Sequence, residues 1–241
     1  MTRVYAHRGD ARSAKENTVE AFLGAVAAGA HGVELDVRRS ADGALVVHHD
    51  ATVEGLGPIS ELRVRDLPSD VALLDEVLDV LAPLLVNVEI KNDPDEPGYD
   101  PSGSISHDVV GVLDERGDLD RMLVSSFDLA TLDAVRQADV GIATGWLLGY
   151  VQDPIPAVAV AVSHGLSAVH PFVLAVSVEV VERAHGAGLD VNTWTVNARH
   201  DLEAMVAIGV DAVITDDIVA ALGVLEGAAP LRNGGSGPLS A

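Results

Sequence analysis

The sequence predicts an α/β protein, a (β/α)8 TIM barrel forming a single domain with a short insertion after its second strand. Three observations carry this expectation. Short β-rich runs alternate with longer amphipathic stretches rich in Ala, Leu and Val, and the alternation repeats through the chain. Eight such pairs fill about 225 residues, close to the ~250 usual for a barrel of this kind. A doubly wound open sheet, the rival for alternating strands and helices, usually opens with a glycine-rich first turn. Here the first strand runs into His7-Arg8-Gly9-Asp10 and no GxGxxG follows.

In chain order, VYA at 4–6 is the first expected strand and 18–28 the first helix. VELDV at 33–37 is the second strand, extended by a short segment before the helix at 74–81. LLVNVEI at 84–90 leads to the helix at 106–116, and MLVS at 122–125 to the one at 129–137, which Asp128 should start. GIATGW at 141–146 pairs with 156–164, and AVH at 168–170 with 177–187. DVNTWT at 190–195 pairs with 199–208, for which Asn197 is the expected start signal, and AVIT at 212–215 with 217–225. Gly188 and Gly209 stand where helices should stop. No internal repeat and no second core is expected. The domain is read as 1–225, and 226–241, with GAAP and NGGSGP, as a mobile tail.

Composition bounds the partners. Lys and Arg total 15 against 37 Asp and Glu, a formal charge of −22, which disfavours nucleic acid and anionic bilayers. There are no cysteines, so disulfides, thiolate nucleophiles and thiolate metal sites are excluded. The N-terminus shows no basic segment followed by an apolar one, and no apolar run approaches the roughly 20 residues of a membrane span. A soluble, cytoplasmic protein without stable membrane association is expected.

Chemistry in a parallel barrel sits where strands end, and four strand ends carry unusual polar residues. His7 and Arg8 follow the first strand: a group that titrates near neutrality and a fork matched to phosphate oxygens. Strand alternation puts Glu34 and Asp36 on one face, where two carboxylates repel unless a proton or a hard cation intervenes. In Val46-Val47-His48-His49-Asp50 the same alternation sends His49 to one side and His48 to the other. Glu89 and Lys91 share a face of the next strand, and Lys91 is one of only two lysines beside 13 arginines, which points to a specific use for it. Three carboxylates, two histidines and two cations suit metal-assisted phosphoryl transfer.

With these residues in view, the sequence resembles the glycerophosphodiester phosphodiesterase family. The matching segments are AHRG at 6–9, ENT at 16–18, VELDV at 33–37, DGALVVHHD at 42–50, VEIK at 88–91, SSF at 125–127, WTVN at 194–197 and GVDAVITD at 209–216. The resemblance implies a TIM-barrel enzyme that uses Mg2+ or Ca2+ to cleave glycerophosphodiesters to sn-glycerol 3-phosphate and an alcohol. By motif, His7 and His49 would be the acid/base pair, and Glu34, Asp36 and Glu89 would hold the metal. Arg8 and Lys91 would hold the phosphate, with Glu16 in support and Phe127 and Trp194 lining the glycerol side. Lys15 stands where the family usually has Pro, and Asp217-Ile218 replaces the usual Pro after the final TD. Residues 51–73 are shorter than the covering insertion of many members. Two other readings stand beside this one: a lipid-directed phospholipase D of the sphingomyelinase D type, and a non-catalytic phosphodiester-binding barrel.

Overall fold

The computed structural model describes residues 1–228. In chain order these form β1 (Arg3–His7), α1 (Val19–Ala28), β2 (Gly32–Arg39), β3 (Leu45–Val47), β4 (Thr52–Val53), β5 (Gly57–Pro58), α2 (Leu74–Val80), β6 (Leu85–Ile90), α3 (Ser104–Arg116) and β7 (Met122–Ser126). The chain continues through α4 (Leu129–Ala138), β8 (Ala143–Leu147), α5 (Pro154–Ser163), β9 (Ala168–His170), α6 (Val178–Gly186), β10 (Asp190–Thr193), α7 (Arg199–Ile208), β11 (Ala212–Thr215) and α8 (Ile218–Ala228). Parallel pairing runs β1-β11-β10-β9-β8-β7-β6-β2, and β2 pairs back onto β1. The sheet therefore closes as an eight-stranded parallel barrel, as expected.

Alternation along each strand builds two compartments. Val4, Ala6, Val33, Leu35, Val37, Val88, Ile90, Val124, Val169, Val191 and Val213 are buried with Phe22, Leu78, Leu113, Leu132 and Leu202 from the helices. The intervening residues face the barrel axis. There Gly145 makes room for a neighbour, since a Cβ on it would lie 2.3 Å from His170 Nε2. Burial pushes the His170 imidazole down to about 3, so the ring is neutral and accepts from Asn192 Nδ2 at 3.0 Å.

Expected elements are present with ends moved by a few residues, and most departures have local causes. Asp128 caps α4 by accepting from the amides of Ala130 and Thr131. Asn197 is not a cap. Ala198 occupies that position without a side-chain bond, because the Asn197 amide is committed to Thr215 and Asp216. Helix α5 starts early, at Pro154, where a proline costs no hydrogen bond and Asp153 accepts from Ile155 N. Gly209 closes α7 at φ +82°, a left-handed cap. The insertion after β2 does hold a small second core of Val46, Val53 and Ile59, which the sequence reading did not anticipate. Helix α8 runs to Ala228, three residues into the segment read as a tail; 229–241 lie outside the described residues.

Candidate active site

His7 is the last residue of β1. Its Nδ1 lies 2.7 Å from Asp216 Oδ1, just beyond β11, the strand adjacent to β1. Asn197 holds that carboxylate twice: its Nδ2 donates to Asp216 Oδ2 at 2.6 Å, and its Oδ1 accepts from the Asp216 amide at 2.9 Å. The bond from His7 is the main reason the Asp216 carboxyl lies below its ordinary range. A carboxylate on Nδ1 fixes the proton there and leaves Nε2 for chemistry. That atom is 3.9 Å from Glu34 Oε2.

The next two residues turn the chain sharply. Arg8 adopts φ +58°, and its amide donates to the Glu34 carbonyl at 3.0 Å and to Glu34 Oε2 at 3.2 Å. Gly9 follows at φ +87°, and any Cβ there would meet the Ala21 backbone at 2.7 Å. Only glycine fits this approach of the turn to α1. The turn aims the Arg8 guanidinium back over the barrel: Nη1 donates to Glu16 Oε1 at 2.9 Å, and Nε lies 3.2 Å from Asp36 Oδ2 without hydrogen-bond alignment.

Glu34, Asp36 and Glu89 are all buried, and one oxygen from each lies within 4.8 Å of the others. The register sets this meeting, because Asp36 on β2 stands opposite Glu89 on β6. Asn17 Nδ2 donates to Asp36 Oδ2 at 2.7 Å, and Lys91 Nζ donates to Glu89 Oε1 at 2.7 Å. Glu34 Oε1 and Asp36 Oδ1 are left buried without a hydrogen-bond partner. Burial first, then the charges of Asp36 and Glu89, raise the Glu34 carboxyl well above its ordinary range. Burial likewise raises Glu89, more than Lys91 lowers it. Asp36 is also desolvated, but Lys91, Arg8, His49 and the Asn17 hydrogen bond together outweigh that and hold it low.

His49 lies past the end of β3, off any regular strand. Its Nδ1 meets Asp50 Oδ1 at 2.8 Å, repeating the His7–Asp216 arrangement. His48 instead turns to the Asp50 carbonyl and does not line the pocket. His49 thus lines the pocket and His48 does not, but strand alternation is not the cause, because β3 stops at Val47.

One pocket of about 340 Å³ collects these groups. His7, Arg8, Glu34, His49, Glu89 and Lys91 form its charged wall, with Asp36 beneath. Phe127, Leu147, Tyr150, Trp194 and Ile214 form the apolar wall. Glu16 does not line the pocket; its carboxylate meets Arg8 Nη1 instead. Trp194 packs edge-on against Phe127, Tyr150 and Phe172, with ring centroids 5.4–5.6 Å apart, and its indole N–H donates to the His170 carbonyl. The sequence reading missed Tyr150, Phe172, Asn17 and the role of Asp216. Tyr150 had a signal, an aromatic residue in the loop straight after a strand; Asp216 had one too, an acid directly after the last strand.

The sequence pattern of the glycerophosphoryl diester phosphodiesterase family matches residues 7–220. A glycerophosphodiester phosphodiesterase of Caldanaerobacter subterraneus subsp. tengcongensis is 31% identical over 236 residues, spanning 90% of this chain and 94% of that one. The crystal structure of a glycerophosphodiester phosphodiesterase from Thermotoga maritima superposes with a TM-score of 0.77 at 27% identity, covering 93% and 98% of the two chains. An Oleispira antarctica phosphodiesterase, solved in complex with the product sn-glycerol-3-phosphate, shares the fold at a TM-score of 0.79 and 21% identity, covering 94% and 97%. Fold and site define a barrel enzyme, a phosphoric diester hydrolase. The chain belongs to the glycerophosphoryl diester phosphodiesterase family.

Proposed function

We propose that the protein hydrolyses glycerophosphodiesters to sn-glycerol 3-phosphate and an alcohol, with a divalent cation, Mg2+ or Ca2+, held by Glu34, Asp36 and Glu89. The observation that carries this reading is the pair of buried carboxylate oxygens on Glu34 and Asp36 that accept no hydrogen bond, set between two histidines that each rest on an aspartate. An all-oxygen donor set crowded to within 4.8 Å fits a hard cation, which offsets the burial and mutual repulsion that raise the Glu34 carboxyl. When bound there, the cation supplies charge neutralisation for the phosphoryl oxygens. Arg8 and Lys91 orient the phosphate from the charged wall, while Phe127 and Trp194 take the glycerol carbons. Of His7 and His49, one removes the proton of the attacking hydroxyl and the other returns one to the leaving alkoxide.

No helix among the described residues is long and apolar enough to cross a membrane. We place the reaction on small-molecule substrates, because the acidic sequence disfavours nucleic acid and anionic bilayers. The test is release of glycerol 3-phosphate from glycerophosphocholine, abolished by a chelator and restored by Mg2+ or Ca2+. Binding of the diester by metal-loaded protein without turnover would overturn the proposal in favour of a non-catalytic barrel.

A further inference from the structure

His49 has an unusual support. The β3 ladder stops at Val47, and the last backbone tie to β2 is the His48 amide on the Asp36 carbonyl at 2.9 Å. The His49 carbonyl is gripped from the side by a single guanidinium: Arg38 Nε donates to it at 2.8 Å and Arg38 Nη2 at 2.6 Å. Arg38 belongs to β2, four residues after Glu34 and two after Asp36, so alternation puts all three on the same side of one strand. Its side chain is only 6% exposed. Burying that charge costs free energy unless it is paired. The partner is Glu96, from the loop between β6 and α3, whose Oε2 accepts from Arg38 Nη2 at 2.7 Å. That loop is in turn closed by Asn92 and Asp100, which exchange hydrogen bonds at 2.7 and 3.1 Å, and Asp100 accepts from Arg39 Nη2 at 2.9 Å.

We infer that Arg38, backed by Glu96, is a positioning residue for His49: it fixes the histidine to the same strand that carries Glu34 and Asp36, so the distance from proton-transfer group to carboxylates is set by one rigid element. Neither side chain lines the main pocket, although Glu96 borders a smaller one beside it that shares Glu89, Lys91 and Phe127. A planar fork with two donors on one carbonyl oxygen and a third bond to a carboxylate defines direction as well as distance. A lysine could not make all three bonds from one nitrogen at the same geometry. The inference rests on the hydrolytic role proposed for His49, and its test has two separable arms.

The first arm needs no turnover. The His49 ring resonances, assigned by their loss in His49→Ala, are expected to shift and broaden in both Arg38→Met and Glu96→Ala, while those of His7 stay in place. Unchanged His49 resonances in both variants would overturn the inference, whatever the reaction proves to be. The second arm is kinetic and uses the metal-loaded enzyme with glycerophosphocholine. Arg38→Met is expected to lower kcat about 10- to 100-fold, the range for groups that orient an active-site histidine, with KM within about twofold. In a His49→Ala background the same substitution should cost less than about threefold, because the residue it positions is gone. Equal losses in the two backgrounds would mean a merely structural arginine and would sink the idea. Should Arg38→Met fail to fold, Glu96→Ala carries the kinetic arm alone: its side chain is 38% exposed, and a several-fold loss of kcat with an unchanged Tm is expected. Wild-type kcat in folded Glu96→Ala would then count against the inference. Absence of any wild-type hydrolysis would overturn the proposed reaction and leave the resonance arm to decide on Arg38.

Discussion

The Glu34 carboxyl binds its proton more tightly in the folded chain than in the unfolded one, because burial and its acidic neighbours raise it above the ordinary 4.5. Such a group favours folding fully below the unfolded value, and the benefit fades as pH rises through the folded value. Metal-stripped protein should therefore lose stability as pH climbs above about 4.5. Asp36 acts in the opposite sense: lowered from 3.8, it stabilises the fold above that pH and ceases to as pH falls below it. Glu34→Gln should raise the Tm of chelated protein near neutral pH and flatten its pH dependence, yet cut kcat of the metal-loaded enzyme by about 10² or more. A melting curve series with and without metal checks both signs. His7→Ala and His49→Ala should each lower kcat by ~10²–10⁴, with His48→Ala close to wild type. Asp216→Asn should cost about 10- to 100-fold through the tautomer of His7. A diester with a very good leaving group rescues whichever histidine variant lacks the acid. The charged residues were legible because a strand's period of two sorts them locally. The His7–Asp216 bond was not, since it spans 209 positions and exists only once the barrel closes.

At the scale of elements, the loops divide the work. Residues 51–73, expected to leave the pocket uncovered, contribute nothing to its lining; their apolar side chains turn into the small core around Ile59. The wall opposite the carboxylates comes instead from the ends of β7, β8 and β10, and Tyr150, in the β8–α5 loop, stands 70% exposed at its rim. An open aromatic rim grips by area rather than by hydrogen bonds. The headgroup should accordingly be read loosely: kcat/KM for glycerophosphocholine, glycerophosphoethanolamine and glycerophosphoglycerol should agree within roughly tenfold, about 1.4 kcal/mol. Tyr150→Ala should raise KM for all three by up to about tenfold, the worth of one aromatic contact, with kcat little changed. A several-hundredfold preference for one headgroup would contradict this. Element order was readable from hydrophobic periodicity, whereas the meeting of Tyr150, Phe172 and Trp194 depends on three neighbouring strands presenting their loops together, which no local pattern encodes.

The whole molecule carries a formal charge of −22, while its pocket holds Arg8 and Lys91 on one wall. An anionic substrate is repelled at long range and attracted only at the end of its approach, and salt screens the first effect over about 8–10 Å. For glycerophosphoglycerol, kcat/KM should rise with ionic strength; for zwitterionic glycerophosphocholine it should stay nearly flat. A salt titration of the two rates, run side by side, checks the sign. Barrel closure has a further consequence, for how the enzyme comes into being. Synthesis runs from the N-terminus to the C-terminus, so His7 leaves the ribosome ahead of the rest of the barrel. Its aspartate is delivered 209 residues later, on the far side of the strand that seals the barrel. For more than half of that interval the growing polypeptide already owns Glu34, His49 and Glu89, yet His7 has nothing to lean on. On the proposed mechanism full hydrolytic competence arrives late, with the closing strand, and a translation product stalled short of Asp216 should work at a small fraction of the full rate.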